Sequence, residues 1–279
     1  MKNILIPTDF SENSWNAIAY ALSFFNKITC SFYLLHVSPY DEIIGQGSFL
    51  DSGETVVDQV TQNDKQQMQV LLGRIEKLPL NTKHRFFTVY EHHFFIDAIR
   101  KQIVDKEIDY IVMGTKGASG LKEMTVGSNT GDVITKVKCP VLAIPEKARY
   151  QKPKEIAFPT DYNQQYKSKI LNTITNILST NNAALRVLHV SKKEKELSEL
   201  QKKNKDLLDD HLNDSIEHSF HFLSNTKIEE AVQCFVESRN IDMITMIAKN
   251  LNLFQRILFH PTVETISYHT DVPFLVLHE

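Results

Sequence analysis

Ile4-Leu5-Ile6-Pro7-Thr8-Asp9 opens the chain, and Ile156-Ala157-Phe158-Pro159-Thr160-Asp161 repeats its pattern 152 positions later. A second pair, Leu34-Leu35-His36-Val37-Ser38 and Val187-Leu188-His189-Val190-Ser191, lies 153 positions apart. A third, Cys139-Pro140-Val141-Leu142-Ala143-Ile144 and Val272-Pro273-Phe274-Leu275-Val276-Leu277, lies 133 apart. Self-similarity in the same order at nearly fixed spacing is the mark of a repeat. The 279 residues therefore read as a tandem duplication whose first half carries about twenty extra residues after its second strand.

Working outward from those runs, short apolar segments alternate with helix-period segments. Strands are expected at Asn3–Pro7, Ser31–His36, Arg85–Val89, Tyr110–Met113 and Val141–Ile144, then at Glu155–Pro159, Ala184–His189, Ile216–Phe222, Met243–Met246 and Phe274–Leu277. Trp15, Ile18, Ala19 and Leu22 share one helical face, as do Ile96, Ile99, Ile103 and Val104, and Ser11 stands where an N-cap would start the first helix. A further helix is expected around Asn63–Lys77, and Leu197, Leu200, Leu207 and Leu208 give Lys192–Asp210 a buried stripe. Strands joined through helices predict an α/β fold: two tandem open parallel-sheet domains, Rossmann-like, with helices on both faces. The proline- and lysine-bearing stretch after Ile144 reads as a connection. It divides the chain into a first domain at 1–147, a linker at 148–154 and a second domain at 155–279.

Composition narrows the function. A formal net charge of −3, from 31 Lys+Arg against 34 Asp+Glu, argues against a nucleic-acid coat or a binder of anionic membranes. No apolar run approaches the roughly 20 residues that cross a bilayer. The opening MKNILIPTDF meets an acid too early to read as a secretory leader. Cys30, Cys139 and Cys234 are widely spaced and odd in number, which suits a reducing cytoplasm.

The stretch Met113-Gly114-Thr115-Lys116-Gly117-Ala118-Ser119-Gly120, continuing to Gly127-Ser128-Asn129, carries the chemistry. It leaves a buried strand and enters a helix pattern at Val133, Ile134 and Val137. Glycines there let backbone N–H groups converge, and a helix start adds free donors and the positive end of the dipole. In open α/β sheets, ligands bind at the carboxyl ends of strands where the strand order reverses. Asp9 would enter the same crevice. Its carboxylate can accept from a ribose hydroxyl or adenine amino group, or it can cap the helix starting near Ser11. Residue chemistry leaves both readings open.

Gly114-x-x-Gly117, nine residues, then Gly127-Ser128 resembles the ATP-binding signature of the universal stress protein family. Pro7-Thr8-Asp9, His36-Val37 and the closing Cys139-Pro140-Val141-Leu142 are similar to that family too, and the likeness spans both halves. It implies that Pro7, Thr8 and Asp9 line the nucleoside pocket and that Val37 meets the adenine through its backbone. Met113 and Gly114 would border base and ribose. Gly117, Gly127, Ser128 and Asn129 would hold the phosphates, with magnesium accompanying ATP. The resemblance also implies pairing of Val141–Ile144 with Phe274–Leu277 as a pseudo-dimer within one chain, a homodimer beyond that, and a signalling partner of unknown identity.

Gly131 and Asp132 depart from the family pattern, and Asp132 in the first helical turn would repel a phosphate. In the second half the offset of 133 places Ile247, Asn250, Leu253, His260 and Pro261 where the first has Gly114, Gly117, Gly120, Gly127 and Ser128. Proline there removes a donor. The second domain is thus expected to lack ATP, and its apolar loop Leu251–Phe259 to be core or a contact surface. His92, His93, His218 and His221 complete no zinc spacing, and Cys139 reads as a packed thiol. The expected function is an ATP-binding stress sensor without dedicated turnover, beyond slow hydrolysis by water reaching a bound phosphate. A nucleotide-free dimerisation module and an adenylyl-transferring enzyme are the alternatives.

Overall fold

The computed structural model of the chain describes residues 1–38, 56–115, 128–191, 196–212, 216–224, 227–248 and 271–278. Those up to Cys139 form one compact unit, and those from Pro140 form a second.

In the first unit, β1 (Lys2–Pro7) is fully buried at Ile4, Leu5 and Ile6, consecutive residues that point to opposite faces. Burial on both faces is what makes a parallel strand read as a continuous apolar run. After α1 (Glu12–Phe24) comes β2 (Cys30–Ser38), then α2 (Val56–Glu76), β3 (His84–His92), α3 (Phe95–Asp105), β4 (Tyr110–Gly114) and α4 (Ser128–Lys136). β1 pairs in parallel with β2 on one side and β4 on the other, and β2 pairs in parallel with β3. The order β3-β2-β1-β4 means the chain moves outward from β1 and then returns to its opposite flank. The crevice at that reversal opens at the carboxyl ends of β1 and β4.

The second unit takes in β5 (Val141–Ile144), β6 (Glu155–Pro159), α5 (Ser168–Asn181), β7 (Ala184–Ser191), α6 (Glu199–Leu212), β8 (His218–Ser224), α7 (Ile228–Ser238), β9 (Met243–Ile247) and β10 (Phe274–Leu277). Its order is β8-β7-β6-β9-β10-β5. All pairings are parallel except β10 with β5, where Phe274 stands opposite Ala143 and Val276 opposite Val141. The expected α/β class and every expected strand are present.

Three helix faces differ from expectation. In α1 the buried side is Ala17, Ile18, Ala21 and Phe24, while Trp15, Ala19 and Leu22 are only half-buried. Trp15 instead stacks under the guanidinium of Arg74 from α2, 4.1 Å from the ring centroid. In α3 Val104 is 76% exposed, and Gln102 is buried beside Ala98 and Ile99 because its amide donates to Glu91 at 2.6 Å. In α6 Leu200 and Leu207 face outward, and the stripe is Asn204, Leu208 and Leu212. A polar residue can hold a core position when a partner meets it, as Glu91 meets the Gln102 amide N–H while Gln102 Oε1 stays unpartnered among the described residues. Large apolar residues alone therefore misplace these faces.

Candidate functional site

The turn after β1 is built from its own hydroxyls. Ser11 is the N-cap of α1, its side chain accepting from Ser14 N at 3.2 Å. Asp9 is not the cap but its brace: Oδ1 accepts from Ser11 N at 3.1 Å and from the Ser11 hydroxyl at 2.6 Å. Thr8, buried, accepts from Phe10 N at 3.1 Å. The Ser14 hydroxyl spends its hydrogen on Ser11 O, so the Thr8 hydroxyl is the donor in their 3.1 Å contact. These bonds hold Phe10 at φ 61°, a left-handed conformation uncommon outside glycine. Asp9 remains exposed at the mouth, and Pro7 is buried beneath it.

Beside this turn, His36 and Val37 end β2, both half-buried. His36 Nδ1 lies 2.8 Å from Thr8 O, and its ring centroid is 4.4 Å from that of Phe10. Its Nε2 faces Asp64 Oδ1 of α2 at 3.3 Å, and the Ser38 hydroxyl donates to Asp64 Oδ2. Asp64 is 6% exposed, a buried acid held by two residues that flank Val37.

The other flank is β4. Met113 is buried and Gly114 ends the strand. A β-carbon on Gly114 would stand 2.3 Å from Asn13 Nδ2, so glycine here makes room for the buried side-chain amide that α1 sets against the strand end. Thr130, in the first turn of α4, donates to Gly114 O at 2.7 Å and ties that helix to the strand end. Ser128 is the first residue of α4, and Asn129 beside it is exposed. Pro7, Thr8, Asp9, Val37, Met113 and Gly114 thus share one edge of the sheet, with Ser128 and Asn129 on the helix tethered there. Gly117 and Gly127 lie outside the described residues. Asp132 comes after the first turn of α4, and Lys136 Nζ neutralises it at 2.9 Å.

Asn13, Ser14 and Asp64 were not singled out from the sequence, and Thr130 stood at the end of the glycine stretch without a role of its own. Ser14 and Asn13 follow a cap, where polar residues are ordinary, and Asp64 and Thr130 carry no local pattern. His36 lay inside a recognised strand end, but its acid partner is 28 residues away.

The second unit repeats the turn with different filling. Thr160 accepts from Tyr162 N at 3.1 Å, Asp161 Oδ1 from Asn163 N at 3.0 Å, and His189 Nδ1 lies 3.0 Å from Thr160 O. Tyr162 stands at φ 56°, like Phe10, but it is fully buried and stacks on His189 at 5.3 Å. Tyr166 shares a 2.7 Å hydrogen bond with Thr160, where the first unit has Ser14. Burial pushes both phenol groups up, well past the ordinary tyrosine value. α6 closes over the turn, with Asn204 donating to Tyr162 O and Gln201 to Asp161 O, each at 2.8 Å. Ile247 ends β9 where Gly114 ends β4, and its side chain is buried. Residues 249–270, with Asn250, Leu253, His260, Pro261 and Leu251–Phe259, lie outside the described residues.

Of the remaining candidates, His92 buries its Nδ1 without a hydrogen-bond partner among the described residues, and the others have local ones. His218 meets Asp209 Oδ1 and Ile216 O, both at 2.7 Å, His221 meets Ser219 Oγ at 2.8 Å, and His93 Nδ1 accepts from Phe94 N at 3.1 Å. Cys139, buried, donates its weak S–H to Ile108 O at 3.7 Å. Among the described residues no helix is long and apolar enough to cross a membrane.

Comparison with known proteins adds three findings. The family model for the universal stress protein family matches residues 1–145. A universal stress protein of Methanocaldococcus jannaschii is 30% identical over 159 residues, covering 52% of this chain and 96% of that protein; a second from the same organism is 28% identical over 146 residues, covering 51% and 81%. The crystal structure of a universal stress protein from Archaeoglobus fulgidus has a TM-score of 0.70 and 18% identity, covering 99% of this chain and 96% of that one. That last likeness is one of fold.

Proposed function

Because the chain belongs to the universal stress protein family, we propose that its first unit binds ATP and that occupancy of this crevice serves a stress-response role. The second unit works without nucleotide, as the companion domain of a tandem pair. The reading rests on one contrast between the two crevices. At the first, an exposed acid stands beside a strand-ending glycine. At the second, the same turn carries fully buried Tyr162 under α6, and Ile247 replaces the glycine.

The residues of the first crevice suit the ligand. Asp9 has a carboxylate for ribose or adenine donors, Val37 presents strand backbone, and the start of α4 supplies N–H donors for phosphate oxygens. Gly114 leaves no side chain between β4 and α1, and Asp132 keeps its charge engaged with Lys136. Magnesium would accompany the triphosphate. Asp9 is the polar selector, while Gly117, Gly127, Ser128 and Asn129 carry the phosphates. Nothing in this role requires turnover, and the location expected for such a protein is the cytoplasm.

Isothermal titration of the full chain with Mg–ATP tests the reading. One site per chain is expected, abolished by Gly127→Glu. Two sites, or none at saturating ATP, would overturn it. Mass spectrometry of ligand released from protein purified without added nucleotide gives an independent answer.

A further inference from the structure

The hydrogens around His36 can be counted. The Thr8 carbonyl only accepts, so the 2.8 Å contact places a hydrogen on Nδ1. Nε2 then faces Asp64 Oδ1 at 3.3 Å. A bare ring nitrogen and a carboxylate oxygen are both acceptors and repel at that distance. The contact needs one more proton, on the imidazole or on the acid. Ser38 supplies none of it, because its hydroxyl already donates to the other carboxylate oxygen. The two side chains are 15% and 9% exposed, so water does little to compensate a mismatch.

We propose that His36, Asp64 and Ser38 form a clasp closed by one shared proton, and that loss of this proton as pH rises unseats α2 and weakens ATP binding at the first-unit crevice. The coupling to ATP rests on the nucleotide reading above; the clasp does not. His36 and Ser38 bracket Val37, so the clasp fixes the stretch of backbone that would meet the base. α2 is pinned a second time at Arg74, which makes a paired contact with Glu12 and stacks on Trp15.

Other charged and titratable groups face this cluster. Tyr90 and His92 of β3 stand in register with His36 and Ser38, and burial and the Asp64 charge push the Tyr90 phenol up. From the β1–α1 turn come Asp9 and the Phe10 ring. Glu91 lies on the opposite face of β3, tied to Lys101 and Gln102 of α3, and Lys65 on α2 is exposed beside Asp64. The second unit has Asn204 as the buried polar residue of its covering helix, and there it bonds a carbonyl of the turn.

The amide comparison supplies the test. In Asp64→Asn the introduced NH₂ donates to a neutral Nε2, and the introduced carbonyl accepts from Ser38. The clasp then closes with no extra proton. Trp15 is the chain's one tryptophan, so its fluorescence reports the seating of α2 without nucleotide. Across a pH series, the wild type should show an emission transition that D64N lacks. ¹⁵N imidazole shifts of the wild type should show both His36 nitrogens bearing hydrogen at the low end and Nδ1 alone at the high end. Mg–ATP affinity should fall at least about fivefold across the transition, relative to D64N.

A D64N emission profile that matches wild type, or a His36 protonated only on Nε2, overturns the clasp. The same pH profile of ATP affinity in both proteins overturns the coupling. A wild type that binds no ATP at any pH, yet shows the emission transition and loses it in D64N, overturns the nucleotide reading and supports the clasp.

Discussion

A β-carbon on Gly114 would stand 2.3 Å from Asn13 Nδ2, closer than any real contact allows. Asn13 is buried and helical, so it has little room to retreat. Gly114→Ala should destabilise the chain by about 1–3 kcal/mol, the usual cost of overpacking. At the corresponding end of β9 the sign of the size change reverses. Ile247→Ala opens space around a buried side chain and should cost about 2–5 kcal/mol. Urea denaturation of both variants checks the pair, and a neutral Gly114→Ala would mean α1 can shift away.

Ser11→Ala removes the acceptor for Ser14 N and the hydroxyl that Asp9 holds. Loss of such a cap should cost about 0.5–2 kcal/mol by thermal or urea unfolding. Asp9→Ala should cost less stability than Ser11→Ala while removing more ATP affinity. An Asp9→Ala protein that titrates with Mg–ATP like wild type would mean that its carboxylate serves only the turn.

Asn204→Leu leaves the Tyr162 carbonyl without its side-chain donor in a buried setting. About 1–3 kcal/mol of stability should be lost. Leu200→Ser, on the exposed side of the same helix, should change stability by no more than about 0.5 kcal/mol. Melting temperatures of the two variants rank the faces of α6. An apolar-pattern reading of that helix predicts the opposite order.

Cys234 is exposed, whereas Cys30 and Cys139 are buried, and burial pushes the Cys30 thiol up to about 11. The thiolate is the reactive species. Mass spectrometry after brief alkylation near neutral pH should show one modified cysteine, Cys234, in the folded protein. Urea should make all three available.

His84 and His221 resist protonation in the folded chain. Burial is the main cause for both, and Arg239 and Arg186 add repulsion at His221. The unfolded chain therefore takes up protons first as pH falls past about 6.5, the ordinary histidine value. The contribution of these two groups should therefore fall on acidification through that region and recover as pH rises, opposite in sign to that of the His36–Asp64 proton. His221→Gln should flatten the melting temperature between about pH 5 and 7. An unchanged slope would assign the decline to other groups.

The strands were legible in the sequence because burial on both faces leaves a simple trace. Ile4-Leu5-Ile6 and Phe274–Leu277 have nothing polar to place inside. Helix faces were less legible. Ala17 and Ala21 are small enough for α1 to lie close to the sheet, and Asn204 and Gln102 are buried only because distant partners accept or donate to them. At the candidate site, Pro7-Thr8-Asp9 and Gly114 were marked by residue types that turns and close approaches demand. Asp64 and Thr130 were not, since each acquires its role from a group more than a dozen residues away. No periodicity encodes such a pairing.

β5 is a short strand with a long reach. It follows Cys139 almost at once and runs antiparallel to β10, although the stretch rich in lysine and proline comes only after it. A protease cutting in residues 145–154 would sever the chain on the far side of that strand. The front fragment would carry away four residues that belong to the rear fragment's sheet, and the nicked halves should stay zipped together by main-chain bonds.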